Sequence, residues 1–139
     1  MRLFLDTSVL LAGCGSFSGA SCEVFRRAPA NGWLLVTTPY VTEEVLRNLG
    51  DFPPSASANW VLLRPSLLIM DDVLTLDRPV VFLSGKDRPI LFSALAWADV
   101  LLTLDHGDFG SLMGQPFYDL VVLKPGTFLE RERAAGRLL

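Results

Sequence analysis

Soft and imidazole ligands are scarce in this 139-residue chain: it has two cysteines, Cys14 and Cys22, and one histidine, His106. Two cysteines are too few for a disulfide framework and lack the C-x-x-C spacing of a zinc site, so they read as buried thiols in a reducing compartment. A single histidine excludes a zinc site of several imidazoles. Charge is also sparse, at 19% of residues with a net value of −3. A protein that grips nucleic acid through phosphate neutralisation alone would usually be basic, so a purely electrostatic binder is disfavoured. No G-x-G-x-x-G follows the first strand and no Walker A motif occurs, which argues against dinucleotide and P-loop sites. Long apolar runs are missing too. The longest, Ile90 to Leu104, contains Ser93 and Asp99 and is too short to span a bilayer. LLAGC (Leu10 to Cys14) resembles a lipoprotein cleavage box, but Asp6 interrupts the preceding stretch and only Arg2 supplies a basic region. The expectation is a cytoplasmic protein without a membrane segment.

Half of the residues are apolar, enough to bury a core that offsets the entropy of ordering the chain, so disorder is excluded. The length suits one domain spanning residues 1–139, and no repeat or linker divides it. Short apolar segments alternate with helical patterns, the signature of a parallel sheet built from βαβ units. Strands are expected at Arg2–Asp6, Trp33–Thr38, Val73–Leu76, Val100–Asp105 and Asp119–Leu123. The small-residue stretch Gly13–Ser21 leads into a helix over Ala20–Ala30, closed by Asn31-Gly32. Pro39 opens a second helix that Gly50 stops, and a weaker one covers Ala58–Leu63 before Arg64-Pro65 breaks it. A deeply buried helix runs from Arg88 to Trp97, GDFGSLMG carries a short helical turn, and the last helix begins at PGTFLERERAAG.

Two strands end alike, in Asp6 and Asp105. In a parallel sheet all carboxyl ends share one edge, where open α/β folds bind ligands. Singly, each Asp reads as a turn or N-cap residue. Together, in a sequence with hardly any other strand-embedded charge, they point to a functional crevice. Asp87 precedes the buried helix, where capping and a site role are equally open. Glu43 and Glu44 both lie away from the apolar face formed by Val41, Val45, Leu46 and Leu49, and the helical wheel does not choose between them. Asp99 reads as a loop or helix-terminus residue, and His106 as a solvated loop histidine.

LFLDTSVLLAG, TEEVLRNL, KDRPILFSALAWADVLLTLDHGDFG and LKPGTFLERE, taken in order along nearly the whole chain, resemble a PIN-domain ribonuclease, a family that includes toxins of the VapC type. The third block is the most specific. The resemblance implies a three-layer α/β/α fold with a central, mostly parallel sheet flanked by helices. It carries the family's four acids onto Asp6, Glu44, Asp87 and Asp105 and an auxiliary acid onto Asp108. The small hydroxyl residue near the first acid becomes Thr7 or Ser8, and the Thr before the fourth acid Thr103. The implied cofactor is Mg²⁺ or Mn²⁺. Asp6, Asp87 and Asp105 would hold the principal ion, Glu44 would complete the site or position water, and Asp108 would be peripheral. Crowded carboxylates repel unless protonated or neutralised by a cation, and hard divalent ions prefer oxygen ligands.

The implied activity is metal-dependent hydrolysis of RNA phosphodiester bonds, with an antitoxin protein or a homodimer partner as further expectations. Lys86, Arg88 and Arg47 flank the acids as candidate phosphate contacts. The alternative is a non-catalytic PIN-like module that binds RNA or protein. A haloacid-dehalogenase-like phosphatase, which also begins with a strand ending in Asp, fails because Thr7-Ser8 follows where a D-x-D pattern needs a second acid.

Overall fold

A computed structural model describes residues 1–76 and 85–139. Among them the elements run β1 (Arg2–Leu5), α1 (Thr7–Gly15), α2 (Ala20–Asn31), β2 (Leu34–Thr37), α3 (Pro39–Asn48), α4 (Ser55–Leu63), β3 (Leu67–Ile69), α5 (Arg88–Trp97), β4 (Val100–Leu102), α6 (His106–Phe109), β5 (Pro116–Phe117), β6 (Leu120–Leu123) and α7 (Pro125–Ala134). The sheet order is β3-β2-β1-β4-β6-β5. Every pairing is parallel except β5 with β6. Helices flank this mostly parallel sheet in the three-layer α/β/α arrangement expected from the sequence.

The strand order explains where a ligand crevice must lie. From β1 the chain moves outward to β2 and β3, whereas from β4 it moves the other way to β6 and β5. The neighbours β1 and β4 therefore flank the topological switch point, the place where open parallel sheets leave a cleft beyond their carboxyl ends. Their register pairs Leu5 with Leu102, so the residues that follow, Asp6 and Thr103, emerge side by side. Central strands covered on both faces are apolar throughout: Leu3, Phe4, Leu5, Leu101 and Leu102 are fully buried.

Several boundaries move relative to the sequence reading. The strands are shorter than expected, because Asp6, Thr103 and Asp105 have already left the ladder. Chain after β1 enters helix α1 at Thr7, ahead of the expected small-residue connection, and α1 packs against α2, α3 and α4. The strand expected at Val73–Leu76 lies outside the sheet. Its place is taken by Leu67–Ile69, which begins directly after the 3-10 turn at Arg64–Ser66 and pairs with Leu35–Thr37. The remainder of that hard-to-assign stretch, Asp77 to Val81, lies outside the described residues. Gly32 ends α2 as expected, with φ +66°. Nothing lies within 4 Å of a Cβ built there, so backbone conformation, and no contact, demands glycine.

Candidate functional site

Asp6 sits between β1 and α1, and its placement follows from that junction. It is the N-cap of α1, with Oδ1 accepting the Thr7 amide at 2.6 Å. Its Oδ2 accepts two hydroxyls, Thr103 Oγ1 at 2.6 Å and Ser8 Oγ at 3.1 Å. Each of those hydroxyl oxygens in turn accepts a backbone amide from the end of β4: Asp105 N donates to Thr103 Oγ1, and Leu104 N to Ser8 Oγ. Two parallel relays thus tie the first acid to the segment carrying the fourth. Cap and site are the same residue here. A carboxylate has about four acceptor positions, and three of these are used, so Asp6 keeps one for a further partner.

Glu44 comes to the same place through Thr7, whose Oγ1 donates to Glu44 Oε1 at 2.8 Å. Helix geometry resolves the pair: Glu43 is exposed, while Glu44 is half-buried and faces α1. Both candidate hydroxyl residues, Thr7 and Ser8, are engaged, one with each acid.

Asp87 occupies the N-cap position of α5 but makes no side-chain capping bond to that helix. It is buried at 4% exposure, and its carboxyl is hydrogen-bonded with that of Asp108. Asp105 caps the short α6 by accepting the Asp108 amide at 3.0 Å. Ligand oxygens of Asp87, Asp105 and Asp108 lie within 4.8 Å of one another. Asp6, Glu44, Asp87 and Asp105 line one cleft of about 210 Å³. The structure therefore brings the first four proposed acids together around this cleft, with Asp108 at its Asp87–Asp105 side.

Among the flanking cations, Lys86 lines the cleft, and its carbonyl accepts the Tyr40 hydroxyl at 2.8 Å. Arg47 and Arg88 are exposed and do not line it. Asn48, which the sequence reading passed over, is a lining residue and donates to the Glu44 carbonyl at 2.7 Å. Its signal was its position one helical turn after Glu44. Asp99 lies at the opposite edge of the sheet, accepting the Arg2 amide at 2.8 Å, as a loop residue would.

Among the described residues, Lys86 is the one cation that lines the cleft. Burial pushes the Asp6 carboxyl up from its ordinary value and the Glu44 charge adds to this, while the bonds from Thr103, Ser8 and Thr7 pull it back down. Asp108 is also raised, first by its hydrogen bond with Asp87 and then by the Asp87 charge, with Asp105 working against both. Tyr40 is raised by burial, with Glu44 and Asp87 contributing. An acid whose pKa is higher folded than unfolded holds extra protons in the folded state. Its contribution to stability therefore declines as pH rises from about 4 through the raised value. Asp108→Asn removes one such group. In EDTA, its melting temperature relative to the parent is expected to climb between about pH 4 and pH 7, as read by circular dichroism; a difference flat in pH would refute the Asp87–Asp108 coupling.

All five acids offer only oxygen, which suits a hard divalent cation such as Mg²⁺ or Mn²⁺ and not zinc or copper. The chain matches no protein-family model, no curated protein and no solved structure. Among the described residues no single helix is long and apolar enough to cross a membrane.

Proposed function

We propose that the protein is a metal-dependent endoribonuclease of the PIN kind, hydrolysing RNA phosphodiester bonds at the acidic cleft with Mg²⁺ or Mn²⁺. One observation carries the reading: acids from four separate stretches of chain converge on one cleft at the switch-point edge of a parallel sheet. Asp87 and Asp105, with Asp108 beside them, would hold the ion, and Asp6 would add its one remaining acceptor position. Bound there, the cation supplies charge against the phosphate and makes water more acidic at neutral pH. Glu44, held by Thr7 Oγ1, would accept the proton of the attacking water. Lys86 at the cleft wall meets a phosphate oxygen of the substrate. The relays through Thr103 and Ser8 keep Asp6 and the Asp105 turn in register, so that the acids need no rearrangement when the substrate arrives. An antitoxin-like protein or a second copy of the chain as partner belongs to the same proposal.

The test is cleavage of a labelled pool of single-stranded RNA by the parent with Mg²⁺ or Mn²⁺, by the parent in EDTA, and by Asp105→Asn. Cleavage only by the metal-loaded parent is expected. Cutting in EDTA, or undiminished cutting by the variant, would overturn the mechanism. RNA binding with no cutting under any condition would favour a non-catalytic RNA-binding module.

A further inference from the structure

Beside the acidic cleft, on its β6 side, lies a second pocket of about 260 Å³ that the proposed chemistry does not use. Its floor is apolar, formed by Met113 and Leu123, and its rim carries His106, Lys124, Thr127 and Arg131. Two connections place it next to the acids. His106 lines this pocket and directly follows Asp105, which lines the acidic cleft. Lys124 directly follows the β6 residue Leu123, which pairs with Leu102 and whose carbonyl accepts the Thr103 amide. The two pockets thus lie beyond the carboxyl ends of neighbouring strands, β4 and β6.

The pocket is shaped by two glycines. A Cβ at Gly110 would come within 3.1 Å of His106 Nε2, so glycine there gives the imidazole its position. Gly114 has φ +83°, a conformation that other residues rarely adopt, and its carbonyl accepts Arg131 Nη2 at 3.4 Å. That bond holds the guanidinium at the rim.

An apolar floor rimmed by an imidazole, an ammonium and a guanidinium has a distinct chemical complement. It suits a flat heterocycle carrying an anionic tail, which is one nucleotide of a polynucleotide strand. Bases can lie on His and Arg planes and on apolar side chains only when they are splayed out of a helix, so an unpaired strand fits and a duplex does not. We infer that this pocket is a nucleotide subsite that seats one unpaired base of the RNA next to the scissile phosphate, with Lys124 and Arg131 on its backbone phosphate. The inference rests on the nuclease reading for its substrate.

The experiment measures fluorescence anisotropy of a labelled single-stranded RNA of about ten nucleotides with the full chain carrying Asp105→Asn, in Mg²⁺. Lys124→Ala with Arg131→Ala is expected to weaken binding roughly tenfold and to flatten the salt dependence of log K by about 0.7, the value for one phosphate contact on a single strand. Thr127→Glu, an exposed change that sets a negative charge at the rim, is expected to weaken it as well. A duplex of the same sequence should bind less tightly than the single strand. Unchanged affinity and salt slope in the variants, at unchanged melting temperature, would overturn the subsite, as would equal binding of the duplex. The two readings fail separately: a parent that cuts RNA while these variants bind it normally removes the subsite alone. Variants that lose RNA binding, in a chain whose parent never cuts, remove the nuclease alone.

Discussion

Asp6→Asn is expected to lose about a hundred- to a thousandfold in divalent-dependent RNA cleavage while staying within about 2 kcal/mol of the parent's stability in EDTA. The two halves of this result come from different features of the same residue. Asparagine keeps the shape and can cap α1, but it lacks the charge and the second acceptor oxygen. It cannot receive both the Thr7 amide and the hydroxyls of Ser8 and Thr103 with full strength, and it offers a cation little. Stability changes less, because burial is the largest influence on the Asp6 carboxyl and it opposes the charged form. A neutral isostere loses hydrogen bonds but also escapes that desolvation. Asp6→Ala separates the effects, since it leaves the Thr103 and Ser8 hydroxyls and the Thr7 amide without an acceptor in a buried place; a loss of about 2–4 kcal/mol follows. Urea unfolding in EDTA, together with single-turnover cleavage, checks both. Asparagine protein that cuts within tenfold of the parent would remove Asp6 from the proposed machinery.

The second large effect is thermal. A cation bound by the folded chain alone raises stability by about 2.7 kcal/mol at a hundred times its dissociation constant. For a domain of this size that corresponds to a rise in melting temperature of roughly 6–12 °C. Mg²⁺ or Mn²⁺ is expected to produce such a rise in the parent and almost none in Asp87→Asn with Asp105→Asn. Calorimetry with and without the cation gives all four values. Equal rises in parent and variant would mean that the ion binds elsewhere.

Much of this architecture was readable before any coordinates because parallel strands covered on both faces appear as continuous apolar runs: LFL, LLVT, VLL and LVVL. Glycine and proline marked the ends of α2, α3, α5 and α7. What failed did so for physical reasons. Helix α1 is apolar or small around its whole circumference, because it is enclosed by three other helices, and such a helix has no period to detect. The edge strand β3 is three residues long with Leu68 and Ile69 exposed, while Val73–Leu76 carries a better strand composition without a ladder to join.

At the site, Asp6 and Asp105 were evident as strand-ending charges, and the structure adds the reason they meet, the Leu5–Leu102 register. The choice of Glu44 over Glu43 depended on resemblance alone, since a helical wheel describes one helix and knows nothing of Thr7 on another. Asp87 was balanced between cap and site; the absent capping bond and its partnership with Asp108 favour the site. Asn48 was legible only as a residue one turn after Glu44, and the pocket around Met113, Lys124 and Arg131 gave no sequence signal, because it depends on residues distant in the chain.

The bond between Thr103 and Asp6 spans 97 positions. While the polypeptide is being synthesised, its first acid leaves the ribosome long before its fourth has been translated. The strand that separates the halves of the crevice can pair only after residues 100–105 are free, so contacts of high sequence separation close last. A growing chain therefore carries the acids without the assembled cleft, and the proposed hydrolytic power would arise only once the segment through Asp108 has emerged.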